Sequence, residues 1–123
     1  MSEKTILIVE DSELNRRLLE VVLEPHGYRL LTAKDGETGM MLARTEQPDL
    51  ILMDVLLPGM NGYEATRHLR ADPETRRIVI VALTASASGE QKEQALAAGC
   101  DGYIPKPIDT RAFPQQIRLF LPE

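Results

Sequence analysis

A short apolar stretch that ends in a carboxylate constrains the fold of this chain more than any other feature. Residues 50–53 are all apolar and run directly into Asp54. Pro48 before the stretch and Pro58-Gly59 after it limit it to the length of a β-strand. An unbroken apolar run of this length is typical of a strand that is buried on both faces of a sheet. Asp54 would then lie at the carboxyl end of the strand, the edge of an open α/β sheet where ligands bind.

Similar apolar runs alternate with helical segments along the rest of the chain. The predicted strands span residues 5–9, 28–33, 49–54, 78–83 and 102–105, and the predicted helices span about 13–24, 36–47, 62–72 and 89–98, with a fifth after Asp109. Residues 28–33 mix polar and apolar side chains, which indicates a strand near a sheet edge. Strands that are joined through helices run parallel, with helices on both faces of the sheet. The sequence therefore predicts an α/β three-layer sandwich with five parallel strands and five helices.

The first and last helices carry more specific expectations. Ser12 is a suitable N-cap for the first helix. The apolar residues expected to face the sheet from this helix are Leu14, Leu18, Val21 and Val22. Asp109 would cap the last helix, but Pro114 would then fall at about the fifth position, where a backbone N–H is needed. We therefore expect that helix to begin later than Asp109 suggests or to be distorted at Pro114.

The composition excludes several classes of function. A chain of 123 residues has room for one domain with a sizeable core. The 14 basic and 19 acidic residues give a net charge of −5 without a basic cluster, which argues against direct binding of nucleic acid. No apolar run approaches the ~20 residues of a membrane helix, and residues 1–4 lack the apolar segment of a signal peptide. The single cysteine, Cys100, excludes an internal disulfide, which is compatible with a reducing cytosol, and its side chain is expected to be buried. Together these features predict a cytoplasmic protein without membrane insertion.

Polar side chains stand at the carboxyl ends of four of the five predicted strands. These side chains are Glu10 and Asp11, Asp54, Thr84 and Lys106. Because the strands are parallel, the residues should meet at one edge of the sheet. Three carboxylates supply the hard oxygen ligands that suit Mg²⁺. A carboxylate can also attack a phosphoryl group to form an aspartyl-phosphate, whose oxygens a lysine and a hydroxyl would stabilise.

These residues, in this order and spacing, resemble the receiver domain of bacterial two-component response regulators over essentially the whole chain. The matching residues are the acidic pair Glu10-Asp11, Met53-Asp54 with Pro58 and Gly62 behind it, Leu83-Thr84-Ala85, Tyr103 and Lys106-Pro107. The resemblance implies a flavodoxin-like strand order, 2-1-3-4-5. That order would place the strands that end at the acidic pair and at Asp54 side by side.

The resemblance also implies a role for each site residue. Asp54 would accept a phosphoryl group from a phosphohistidine on a sensor histidine kinase or a histidine phosphotransfer protein. Asp11, Asp54 and the backbone carbonyl of Leu56 would bind Mg²⁺ directly, and Glu10 would act through a water molecule. Glu10 departs from the family pattern, which more often has aspartate, so its extra methylene could allow direct ligation or shift the metal.

The remaining implied roles concern the product and the switch. Thr84 and Lys106 would contact the phosphoryl oxygens, and the Lys106-Pro107 peptide bond would be cis. Phosphorylation would draw Thr84 toward the phosphate and let Tyr103 move inward, which would reshape the face formed by the fourth helix, last strand and fifth helix for a downstream protein. The chain would be a signalling phosphoacceptor rather than an enzyme, with at most slow self-catalysed phosphotransfer and autodephosphorylation.

The biological setting leaves two possibilities within the family. A domain that spans residues 1–123, from Met1 to Pro122-Glu123, would be a stand-alone receiver with no output domain; the alternative is a fragment of a larger response regulator or hybrid kinase. Residues 10–15 are most similar to stand-alone cell-cycle adaptors of the DivK type. His26 and His68 are expected to be surface residues and not phosphodonors.

Two alternatives lie outside the family. A flavodoxin would need a phosphate loop rich in Ser, Thr and Gly after the first strand, where residues 10–13 are largely acidic. A Mg²⁺-dependent aspartate-nucleophile phosphatase of the haloacid dehalogenase type would need an aspartate at position 56, which is Leu56. Taken singly, the site residues also have plain structural explanations, such as a turn cap for Asp54 or a solvated surface side chain for Lys106.

Overall fold

The computed structural model describes residues 3–85 and 89–122, in which strands and helices alternate. The elements are β1 (Thr5–Val9), α1 (Glu13–Leu23), β2 (Arg29–Ala33), α2 (Gly36–Glu46), β3 (Leu50–Asp54), α3 (Gly62–Ala71), β4 (Val79–Thr84), α4 (Gly89–Ala98), β5 (Gly102–Pro105) and α5 (Phe113–Phe120), with a 3₁₀ turn at Glu24–His26 after α1. Element boundaries agree with the sequence-based ones to within about a residue, apart from the start of α5. Met1 and Glu123, the ends of the predicted domain, lie outside the described residues.

The strands form one parallel sheet in the order β2-β1-β3-β4-β5. This confirms the predicted α/β sandwich with the flavodoxin-like order 2-1-3-4-5. The mixed strand β2 lies at an edge, as predicted, and β3 lies in the centre. Every residue of β3 is buried. The polar residues that end β3 and β4 and those that follow β1 and β5 are therefore at one edge of the sheet.

Helices cover both faces of the sheet and form two separate apolar clusters. Ile51 and Met53 of β3 pack on the face that is covered by α2, α3 and α4. Leu50 and Leu52 pack on the opposite face, which is covered by α1 and α5. Complete burial of a side chain of this size contributes about 2 kcal/mol to stability. Four such residues in succession fix the strand that carries Asp54.

The predicted orientation of α1 is wrong. Leu14, Leu18 and Val21 are 79%, 42% and 51% exposed. Of the four residues that were predicted to face the sheet, only Val22 packs against the core. The residues of α1 that are buried are Leu19 and Leu23. Apolar residues cover more than half of the circumference of this helix, so their spacing fits two orientations. Tertiary packing against β1 and α5 selects the one that leaves a leucine-rich strip exposed.

The last helix begins later than its candidate cap suggested, which confirms one of the two predicted outcomes for Pro114. Because α5 starts at Phe113, Pro114 is its second residue, where the helix requires no backbone donor. The Asp109 carboxylate instead caps the preceding turn, where Oδ1 accepts from the N–H groups of Arg111 at 3.0 Å and Ala112 at 3.3 Å.

Three residues outside the sheet edge lie where they were expected. His26 and His68 are exposed, and Cys100 is buried. Burial raises the pKa of the Cys100 thiol above its ordinary value, although Thr66 and Arg70 oppose this effect. Among the described helices, none is both long enough and apolar enough to cross a membrane.

Candidate metal and phosphoacceptor site

The strand register brings the ends of β1 and β3 together. Val9 is paired with Met53, so the next residues, Glu10 and Asp54, extend from adjacent strand ends. The ladder continues past both strands, because Glu10 N donates to Ala33 O at 2.9 Å and Val55 N donates to Leu83 O at 3.2 Å. The backbone on each side of the acidic residues is therefore held by the sheet, which limits how far the carboxylates can separate.

Three carboxylates converge at this edge of the sheet. One oxygen from each of Glu10, Asp11 and Asp54 lies within 4.8 Å of the others. Glu10 and Asp54 are only 1% and 3% exposed, whereas Asp11 is open to solvent. Like charges about 4 Å apart repel by roughly 4 kcal/mol near a protein surface, so the cluster favours a cation. Hard carboxylate oxygens with one open side fit Mg²⁺, which usually keeps several of its waters.

Lys106 supplies the positive charge within the cluster. Its Nζ donates to Glu10 Oε1 at 2.9 Å and lies 3.1 Å from Asp54 Oδ2. Burial of the ammonium lowers the pKa of Lys106, but the hydrogen bonds to the two carboxylates and their charges outweigh burial and raise the pKa above its ordinary value. Lys106 therefore stays protonated at neutral pH. The Lys106–Pro107 peptide bond is cis, as the resemblance implied.

Both carboxylate oxygens of Glu10 already have partners within the protein. Oε1 accepts from Lys106, and Oε2 accepts from the N–H of Ser12 at 3.1 Å. The longer glutamate side chain thus spans from the end of β1 to the start of α1 and to Lys106. Direct ligation of a metal by Glu10 would compete with these bonds, which favours the water-mediated role.

The loop after β3 fixes the orientation of the Asp54 carboxylate. Oδ1 accepts from the N–H of Leu56 at 3.1 Å, while Oδ2 faces Lys106. This turn places Leu56 two residues beyond Asp54, with its side chain 68% exposed. Ligation by the Leu56 carbonyl stays a prediction.

Gly62, the first residue of α3, lets that helix approach the end of β3 closely. A Cβ at this position would overlap the carbonyl oxygen of Asp54 and lie 2.8 Å from Val55 Cα. The Gly62 N–H also donates to Val55 O at 3.1 Å. Any side chain at position 62 would therefore push α3 away from the backbone that carries Asp54. The sequence pointed to Gly62 only through the family resemblance, and this contact gives the physical reason for the glycine.

The predicted switch residues lie on the two strands beyond β3. Thr84 is completely buried at the end of β4, where its carbonyl accepts from Lys106 N at 2.6 Å. Tyr103 on β5 is half-buried, is paired in register with Ala82, and so projects from the same face of the sheet as Thr84. Its ring packs against the cluster under α4, with Lys92 Nζ 6.0 Å from the ring centroid.

The sequence did not reveal the contribution of Arg16. Its Nη1 donates to the carbonyl oxygens of Glu10 at 2.8 Å and Asp11 at 3.1 Å. An arginine in the second turn of a helix can reach back over the N-cap to the preceding loop, so a basic residue five or six positions after an acidic pair is the signal that could have found it.

A family model for the response regulator receiver domain matches residues 6–118. The chain belongs to this family. One curated relative, the polar-differentiation response regulator DivK of Brucella anthropi, is 41% identical over 118 residues, which are 96% of this chain and 96% of the relative. The family match decides against the flavodoxin and phosphatase alternatives. The chain is thus a receiver domain of two-component signalling, a phosphoacceptor rather than a turnover enzyme.

Two solved structures are informative about the receiver site. The receiver domain of the sensor histidine kinase PA1611 of Pseudomonas aeruginosa, with a magnesium ion coordinated in its active-site cleft, has a TM-score of 0.88 and 36% identity over 97% of this chain and 98% of that chain. A co-crystal of the Saccharomyces cerevisiae histidine phosphotransfer protein Ypd1 with the receiver domain of Ssk1 gives a TM-score of 0.89 and 31% identity over 96% of this chain and 89% of that chain. The acidic triad of this receiver is of the kind that holds Mg²⁺ in the family.

Proposed function

We propose that this receiver takes a phosphoryl group onto Asp54 from a phosphohistidine protein, in a reaction that depends on Mg²⁺. The observation that supports this most strongly is the convergence of Glu10, Asp11 and Asp54, with the ammonium of Lys106 in contact with Glu10 and Asp54. The buried Asp54 lies at the rim of the sheet and is the carboxylate that Lys106 and the Leu56 N–H jointly orient. An oriented carboxylate of this kind is suited to nucleophilic attack on phosphorus.

In the proposed reaction, a bond forms between an Asp54 oxygen and phosphorus as the bond from phosphorus to the donor histidine nitrogen breaks. The electron pair of the broken bond leaves on the imidazole. Asp11, Asp54 and the Leu56 carbonyl are assigned as direct metal ligands, and Glu10 as a ligand through water. When bound, Mg²⁺ neutralises charge on the transferring phosphoryl oxygens.

Lys106 and Thr84 are assigned to the phosphoryl group itself. The Lys106 ammonium lies 3.1 Å from Asp54 Oδ2, so it is already placed beside the oxygen atoms that the phosphoryl group would bring. Transfer replaces the single charge of the Asp54 carboxylate with an acyl phosphate that carries nearly two negative charges, beside the carboxylates of Glu10 and Asp11. Lys106 alone cannot balance that charge, and this imbalance is the reason for the metal requirement.

Metal removal tests the proposed reaction. With a small acyl phosphate as donor, we expect Mg²⁺-dependent incorporation of one phosphoryl group, and a loss of at least about a hundredfold in rate with EDTA, because the charge on the phosphoryl oxygens is then unshielded. Intact-mass spectrometry at neutral pH measures the incorporation. Addition of excess Mg²⁺ after EDTA is the control and should restore the rate. Equal labelling with and without the metal would contradict the mechanism.

Membership of the family supports a proposal for the donor and the cellular setting. Receiver domains partner with histidine kinases and histidine phosphotransfer proteins, and the Ssk1 receiver has been crystallised with such a protein. We propose that this receiver acts in a cytoplasmic phosphorelay, as a DivK-like protein that contacts a downstream protein. The alternative is a receiver within a larger response regulator or hybrid kinase. The similarity to DivK over nearly its full length favours the first.

The proposed output is a movement of Tyr103 that follows Thr84. Both side chains project from one face of the sheet on adjacent strands, and Tyr103 already packs beside α4. Displacement of Thr84 toward a phosphoryl group would open space into which the Tyr103 ring could turn. The surface formed by α4, β5 and α5 would change as a result, which biases a two-state equilibrium.

Removal of the Tyr103 ring tests this switch. Beryllofluoride with Mg²⁺ mimics the phosphoryl group and should shift amide resonances both at the rim and on α4, β5 and α5. In Tyr103→Ala, we expect the rim shifts to remain while those on α4 and α5 fall by at least about half, since the coupling element is lost. Tyr28→Ala, which removes a half-buried tyrosine next to the far edge of the sheet, is the control. Undiminished shifts on α4 and α5 in Tyr103→Ala would rule the switch out.

A further inference from the structure

The backbone around Asp11 is held by a side chain that the predicted metal site does not include. The guanidinium of Arg16 uses one nitrogen, Nη1, to donate to the carbonyl oxygens of both Glu10 and Asp11. Charge-assisted bonds of 2.8 and 3.1 Å to consecutive carbonyls fix the direction of the peptide units between β1 and α1. The side chain is half-buried; its bond to the Glu10 carbonyl is partly buried, and its bond to the Asp11 carbonyl is exposed.

The three carboxylates differ in how they are oriented. Glu10 is held through its own carboxylate by Lys106 and by Ser12 N, and Asp54 is held by Lys106 and Leu56 N. Within residues 3–85 and 89–122, no hydrogen bond or ion pair reaches the carboxylate of Asp11, which is exposed. The direction of that side chain therefore depends on its backbone. The sheet holds that backbone through Glu10 N, and Arg16 holds it through the carbonyl groups of Glu10 and Asp11.

We propose that Arg16 is a positioning residue that aims the Asp11 carboxylate for binding of Mg²⁺. The inference rests on the proposed metal site. Arg16 touches neither the metal position nor a carboxylate; it acts through the two carbonyl groups. Partners that orient metal ligands in this way typically contribute tenfold or more to metal affinity.

The sign of the effect separates positioning from electrostatics. A guanidinium near the site repels a cation, so its loss would tighten Mg²⁺ binding if only charge mattered. If Arg16 positions Asp11, its loss should weaken Mg²⁺ binding instead. The adjacent Arg17 provides a matched control, because it is exposed and lies on the same helix.

The experiment measures the Mg²⁺ dissociation constant of the full chain by calorimetry and by amide shifts of residues 10–12. We expect about a tenfold weaker constant for Arg16→Gln, partial recovery for Arg16→Lys, and an unchanged or tighter constant for Arg17→Gln. At saturating Mg²⁺, labelling by an acyl phosphate should return to within about twofold of the wild-type rate, since only metal affinity is lost. A general structural defect would lower the saturated rate as well.

Asp11→Asn separates this inference from the function on which it rests. If the wild type binds Mg²⁺ and Asp11→Asn does not, the metal site stands, and wild-type affinity or tighter binding in Arg16→Gln overturns the role of Arg16 alone. A lowered saturated rate in Arg16→Gln also overturns it in favour of a structural role. Absence of Mg²⁺ binding by the wild type would overturn the proposed metal site and the inference together.

Discussion

Asp54→Asn is expected to abolish phosphorylation by a small acyl phosphate in Mg²⁺ while the fold remains intact. An amide oxygen is not an anionic nucleophile, so the aspartyl-phosphate cannot form. The local geometry should persist, because the amide oxygen can still accept from Leu56 N and Lys106 keeps its 2.9 Å bond to Glu10. Loss of one carboxylate also relieves repulsion within the triad. Intact-mass spectrometry should show no added phosphoryl group, and thermal unfolding should stay within a few degrees of the wild type.

Asp49→Asn is the matched control for this substitution. Asp49 immediately precedes the same strand, and its Oδ2 accepts from Thr5 N at 2.8 Å, a bond that an asparagine oxygen can also accept. This variant should be phosphorylated at the wild-type rate. Phosphorylation that survives in Asp54→Asn would move the acceptor to another residue, with Glu10 and Asp11 as the first to examine. Loss of labelling in both variants would indicate that the substitutions act through the fold.

The strands of this chain were predictable because the sheet is buried on both faces. Residues 50–53 and 78–83 need no alternation of polar and apolar residues, so unbroken apolar runs identify them. The polar residues that end these runs were predictable as a site for the same reason, since parallel strands bring their carboxyl ends to one edge. The strand order was not derivable from these local patterns, and the resemblance to a known family supplied it.

Other features depend on contacts that local sequence does not encode. Helix α1 has apolar residues on more than one side, and only packing decides that Leu19 and Leu23 are buried while Leu14 is exposed. Arg16 looks like an ordinary surface residue until its reach to the Glu10 and Asp11 carbonyls is seen. The Glu10 carboxylate likewise accepts one of its two hydrogen bonds from Lys106, which is 96 residues away in the chain.

Lys106→Met should destabilise the protein in the absence of metal by about 3 kcal/mol, because it leaves two buried carboxylates without a counter-charge. The side chain of Lys106 is 27% exposed, whereas those of Glu10 and Asp54 are 1% and 4% exposed, so the carboxylates bear most of the desolvation. Urea unfolding at neutral pH in EDTA measures the loss. Lys34→Met removes the same charge from an exposed position and should change stability by less than about 0.5 kcal/mol.

The difference in unfolding free energy between the wild type and Lys106→Met should depend on pH, because the pKa of Lys106 is raised in the folded state. Burial lowers that pKa, but the bonds to Glu10 and Asp54 more than offset burial, so the folded state holds the proton more tightly than the unfolded chain. The stabilisation is therefore complete below the ordinary lysine pKa of about 10.4 and is lost as the pH rises through the higher folded value. The difference in unfolding free energy between the wild type and Lys106→Met should be constant from neutral to mildly alkaline pH and should shrink only in strong alkali.

Mg²⁺ should restore much of the stability that Lys106→Met loses, because the ion and the ammonium neutralise the same carboxylates. Removal of the ammonium also removes a cation that repels Mg²⁺, so the variant should bind the metal more tightly than the wild type does. A ligand that binds the folded state stabilises it in proportion to the logarithm of its concentration over the dissociation constant. Saturating Mg²⁺ should thus raise the unfolding midpoint of Lys106→Met more than that of the wild type or of Lys34→Met. An equal rise in all three proteins would mean that Lys106 and the metal do not share the charge of Glu10 and Asp54.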